Sequence, residues 1–105
     1  MRKAKLKLTH SEMIIISDIV SQFADRPIPK YYILGNIVSA AASEMIPIVA
    51  KRTIEVYKKT RMLSLSFTHA IALSVIIRTN TFINDDSLFV ASLANIQLQL
   101  EPQLP

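Results

Sequence analysis

Two stretches decide how this chain folds: Leu6-Lys7-Leu8-Thr9-His10-Ser11-Glu12 and, later, Leu63-Ser64-Leu65-Ser66-Phe67-Thr68-His69. In each, leucines alternate with polar residues, as in a half-buried strand, and a hydroxyl residue follows where a helix would need its first cap. Thr9 with Glu12 three positions on has the spacing of a capping box, in which each side chain satisfies the other's free backbone N–H. Setting Leu6–Val20 on Leu63–Ile77, an offset of 57, pairs five identical residues in fifteen: Leu6 with Leu63, Leu8 with Leu65, Ile14 with Ile71, Ser17 with Ser74 and Ile19 with Ile76.

Each copy therefore reads as an extended lead-in, a capped helix, a connection and a returning helix. The expected fold is mainly α, with about four helices arranged as two consecutive helical hairpins. If the echo is a duplication, the hairpins pack about an approximate two-fold axis and the lead-ins around Leu6 and Leu63 pair as a minimal two-stranded β-ribbon. The first helix carries Met13, Ile16, Val20 and Phe23 on one stripe and ends near Asp25, ahead of the stiff Arg26-Pro27-Ile28-Pro29 connection. A second periodic region runs from Lys30 to Arg61 and is expected to kink or break near Pro47, whose ring removes one helical hydrogen bond and crowds Ser43. The third helix, about Phe67 to Thr79, is apolar on nearly every side and so is expected to be central. A loop over residues 80–84, a cap at Asp85 or Asp86 and a fourth helix through Phe89, Leu93, Ile96 and Leu100 complete the pattern. Residues 96–100 also alternate, which leaves a strand as the alternative there.

At 105 residues the chain is one domain, 1–105, with residues 1–5 as a basic amino-terminal arm and 101–105 as a carboxy-terminal tail. It holds no cysteine, which excludes disulfides, thiolate metal sites and a cysteine nucleophile. Its one glycine, Gly35, excludes phosphate-cradling loops and dinucleotide fingerprints, which need several glycines at fixed spacing. His10 and His69 lie far apart without zinc-ligand spacing, and are expected to be a solvated first-turn residue and a half-buried polar residue respectively. No enzyme, cofactor, metal or small-molecule substrate is expected. Half the residues are apolar and mean hydropathy is +0.33. Yet the longest stretch without a formal charge, Met62–Ile77, is sixteen residues and contains Ser64, Ser66, Thr68, His69 and Ser74, too short and polar for a span. The basic start meets Thr9-His10-Ser11-Glu12 before any apolar run, so a soluble, unprocessed, cytoplasmic protein is expected.

Charge is distributed unevenly. Residues 1–9 hold Arg2, Lys3, Lys5 and Lys7 without an acid; residues 51–61 hold Lys51, Arg52, Lys58, Lys59 and Arg61 against Glu55. Each segment is +4, and the remainder is −4. Pairing of the lead-ins would bring both basic segments to one end, a candidate patch for nucleic acid, acidic lipid or an acidic protein. Apolar triplets, Tyr31-Tyr32-Ile33 and Leu88-Phe89-Val90, cannot all face one core because neighbours on a helix are about 100° apart. Tyr31, Tyr32, Leu88 and Phe89 thus form a candidate apolar interface. The function expected from these features is a non-enzymatic interaction or assembly module that self-associates or takes a protein partner; the alternative is a small nucleic-acid-binding accessory protein using the basic end.

Overall fold

A computed structural model describes residues 3–25, 33–54, 57–83 and 87–104. They form β1 (Lys3–Leu8), α1 (His10–Asp25), α2 (Ile33–Thr53), β2 (Arg61–Ser66), α3 (Phe67–Ile83), α4 (Ser87–Leu100) and a 3-10 turn, Glu101–Gln103. The strands pair antiparallel as a two-stranded ribbon, and the fold is mainly α, as the repeat pattern predicts.

Both lead-ins end in the expected caps. Thr9 N–H donates to Glu12 Oε1 (2.9 Å) and Glu12 N–H to Thr9 Oγ1 (3.2 Å), closing the capping box of α1. Ser66, the repeat partner of Thr9, accepts from His69 N–H at 3.3 Å, so α3 starts directly off β2. Such a cap stabilises a helix by about 0.5–2 kcal/mol.

The ribbon's register carries the repeat. Leu6 faces Leu63, and the 57-residue offset maps this pair onto itself. Lys5↔Ser64 maps onto Lys7↔Met62, and Ala4↔Leu65 onto Leu8↔Arg61, so a local dyad passes through the Leu6–Leu63 pair. The core repeats in the same way. Met13, Ile16, Ile19 and Val20 on α1 are buried, and so are their counterparts Ala70, Leu73, Ile76 and Ile77 on α3. The second helices match at an offset of 55 instead: Val38, Ala41 and Met45 answer to Leu93, Ile96 and Leu100, all buried. The connection inside the second hairpin is thus two residues shorter. Ala4, Leu6, Leu8, Leu63 and Leu65 project from one face of the ribbon into this single core.

Helix α2 continues through Pro47, so of the two outcomes expected there the break does not occur. It stops at Thr53, short of the expected Arg61, where Thr53 Oγ1 bonds back to Ala50 O (2.9 Å). Helix α3 is central, packing on α1, α2, α4 and both strands. It runs to Ile83 instead of ending at Thr79, and within it Thr79 and Asn80 bond back to Val75 O and Ile76 O (both 2.9 Å). Residues 96–100 are helical. The described parts of the expected arm and tail belong to the fold: β1 begins at Lys3, and residues 101–103 are the 3-10 turn that packs against it.

Candidate nucleic-acid interface

The outer face of the ribbon is set by the period-two alternation of its strands. With Ala4, Leu6 and Leu8 buried, Lys3, Lys5 and Lys7 must point the other way, and all three are exposed. The register puts Lys3 opposite Ser66, Lys5 opposite Ser64 and Lys7 opposite Met62. Side chains two apart on a strand are separated by about 6.7 Å, so the three lysines span about 13 Å in a straight row. Among the described residues, neither the His69–Glu44 contact (2.6 Å) nor the Arg78–Glu101 ion pair (3.0 Å) involves this face. The carboxyl of Glu101 is held below its ordinary range by its hydrogen bond from Arg78, and next by that from Gln97.

The β1 edge is closed by two glutamines. Gln99 on α4 accepts from Lys7 N–H (2.8 Å) and donates to Lys7 O (2.9 Å). Gln103 does the same for Lys5, at 2.8 and 2.7 Å, and also donates to Gln99 O at 2.8 Å. Side-chain amides thereby replace a neighbouring strand, which fixes the backbone from which the lysines project. The counterparts of Gln99 and Gln103 along β2 are Glu44 and Ile48. Glu44 instead accepts from His69 Nε2, and Ile48 has no polar group to offer.

Beside β2 lies a concavity of about 400 Å³ lined by Pro47, Ile48, Lys51, Arg52 and Arg61. Arg61 places its guanidinium 4.8 Å from the centre of the Tyr57 ring, and the Tyr57 hydroxyl donates to Leu8 O at 3.2 Å. Burial raises the pKa of that hydroxyl above its ordinary value, keeping it a donor. His10 is half-buried here, edge-on to Tyr57 at 5.2 Å and within 3.3 Å of Thr53 O through Nε2, where full solvation was expected. These contacts tie the end of α2 to the Leu8–Arg61 end of the ribbon.

Of the basic residues singled out in the sequence, Lys3, Lys5 and Lys7 therefore share the ribbon face. Lys51, Arg52 and Arg61 share the concavity, and Lys58 and Lys59 are exposed in the connection ahead of β2. Arg2 lies outside the described residues, as do Tyr31 and Tyr32. Leu88 is 81 % exposed on α4, whereas Phe89 packs partly buried against the core. His69 is half-buried, as expected. No group of residues suited to hold a metal ion occurs among the described residues, and no helix among them is long and apolar enough to cross a membrane.

The sequence signal for this face was the period-two run Lys3, Lys5, Lys7; reading residues 1–5 as a basic arm hid the surface it makes. Comparison of the chain with protein-family models, with curated proteins and with solved structures finds no match.

Proposed function

We propose that this chain binds duplex DNA by laying the outer face of its β1–β2 ribbon in the major groove. The observation that carries the reading is the row of three exposed lysines, Lys3, Lys5 and Lys7, on one face of a ribbon whose other face buries Ala4, Leu6, Leu8, Leu63 and Leu65 in the core. B-form DNA has a major groove about 12 Å wide that admits a two-stranded ribbon, and its guanine O6 and N7 are acceptors for lysine. The lysine spacing of about 6.7 Å matches about two base-pair steps. A-form RNA duplexes have a deep, narrow major groove that side chains cannot read, so DNA is the preferred duplex.

Fluorescence anisotropy with a labelled duplex tests this. Affinity is expected to fall steeply between about 50 and 200 mM salt, to drop at least about tenfold on replacing Lys3, Lys5 and Lys7 together by serine, and to be weaker for double-stranded RNA. A chain that shows no binding to any duplex at low salt refutes the reading.

One observation favours assembly as a second reading. Leu88, Ala91 and Leu98 are exposed along one side of α4, with Asn95 between the last two and Leu98 at 73 %, and a mainly apolar stripe of this kind suits a second copy. Light scattering at micromolar concentration is expected to give a molar mass near twice 11.8 kDa on this reading, and a strict monomer removes it.

A further inference from the structure

The dyad through Leu6 and Leu63 relates the two halves of the ribbon in backbone register but not in chemistry. It exchanges Lys5 with Met62 and Lys7 with Ser64. At both positions a cation on β1 answers to a neutral side chain on β2. All three lysines consequently lie along one strand, and Ser66, Ser64 and Met62 line the other. The edges differ in the same sense, β1 being clasped by Gln99 and Gln103 while the matching positions along β2 are Glu44 and Ile48.

We infer that one chain recognises a strand-asymmetric, non-palindromic DNA site in which guanines are gathered on a single strand. This rests on the DNA-binding reading and specifies its substrate. A ribbon made by two identical strands presents each donor twice, once on each side of the dyad, so its guanine contacts alternate between the two DNA strands and the site is an inverted repeat. Here the donors follow one side of the groove only. A ribbon lying along the groove sets Lys3, Lys5 and Lys7 over about five base pairs, given about 3.3 Å per residue in the strand and 3.4 Å per base step. Lysine has three donors and no acceptor, which suits guanine O6 and N7. The β2 side offers serine hydroxyls, which can accept from cytosine N4, and the Met62 side chain, 47 % exposed, which can touch a thymine methyl. A single chain is then a complete reading unit with a fixed orientation on its site.

The test is selection of binding sites from a randomised duplex pool with the full chain, followed by anisotropy on the selected site. The expected site is non-palindromic, with guanines on one strand and one chain taken up per site. Lys5 and Ser64 face each other across the ladder, so the paired exchange Lys5→Ser with Ser64→Lys moves one donor from β1 to β2 at the same step. It is expected to shift one guanine to the opposite DNA strand and to weaken binding to the original site about tenfold. The exchange Lys7→Met with Met62→Lys makes the same test at the neighbouring step, and circular dichroism confirms that each variant is folded. A palindromic site, salt-sensitive binding without any selected sequence, or folded exchange variants that keep the original site and affinity would each overturn the inference while leaving DNA binding in place. Failure to bind any duplex removes the underlying reading itself.

Discussion

Replacing Gln99 and Gln103 together by methionine is expected to destabilise the fold by about 2.5–5 kcal/mol, from the net worth of five side-chain-to-backbone hydrogen bonds at about 0.5–1 kcal/mol each. Methionine keeps the length and packing of the glutamine stem but can neither donate to the carbonyls of Lys5 and Lys7 nor accept from their N–H groups. Four of the bonds lost, at 2.7–2.9 Å, now complete the outer edge of β1, and the fifth joins Gln103 to Gln99 O. A second consequence separates this from an ordinary loss of stability. An exposed edge of unpaired N–H and C=O groups is a template for another strand, so the variant should also associate as its concentration rises. Urea denaturation measures the first effect and light scattering of the native variant the second. An unchanged urea midpoint would show that the clasp contributes nothing, because water replaces the amides at no cost. The single substitutions should divide the loss, with Gln103 the larger because its amide also bonds Gln99 O at 2.8 Å.

Nothing in the local sequence announces that clasp. Gln99 and Gln103 reach residues 92 and 98 positions away, and a glutamine in an amphipathic helix ordinarily faces water. The prolines at 102 and 105 suggested a tail, yet Pro102 sits within the 3-10 turn that brings Gln103 to the strand. What was legible was the part encoded over short distances. Alternation before Thr9 and Ser66 marked the strands, the Thr9–Glu12 spacing marked a cap, and the offset of 57 suggested that the lead-ins around Leu6 and Leu63 pair, while their register was not readable. The same offset places α1 on α3, but it fails for the second helices, because the intervening connections differ by two residues and a rigid offset cannot follow them. Helix ends were missed where a polar side chain bonds back into its own helix, as Asn80 does to Ile76 O, so that a residue common in loops is accommodated inside α3.

The candidate site was legible as charge and illegible as surface. Segment sums located the cations correctly but could not say that Lys3, Lys5 and Lys7 make a row on a paired strand while Lys51, Arg52 and Arg61 gather in a separate concavity. The helices give their apolar stripes to the core, and the ribbon gives it Ala4, Leu6, Leu8, Leu63 and Leu65, which leaves Lys3, Lys5 and Lys7 in a row on the ribbon's outer face.

Substituting Leu6 or Leu63 by alanine is expected to cost about 2–5 kcal/mol each. Both side chains are essentially excluded from solvent, at 0 % and 1 % exposure, and they face each other where the local dyad crosses the ribbon. Each deletion removes apolar area from the core and leaves a cavity between a strand and the helices beneath it, and a paired strand held at both neighbours has little room to collapse into that space. Because the two leucines are in register, the double substitution should cost less than the sum of the single ones, by about 0.5–3 kcal/mol, since the first cavity already relieves the contacts the second would lose. Ile14 and Ile71 are repeat partners too, but they are 40 % and 45 % exposed, and alanine at either should stay within about 0.5 kcal/mol of the parent. Urea denaturation of the five variants decides the matter: additive losses at Leu6 and Leu63 would mean that the two residues do not touch the same space, and the ribbon would then be two strands resting on separate cores instead of one element clamping a shared one.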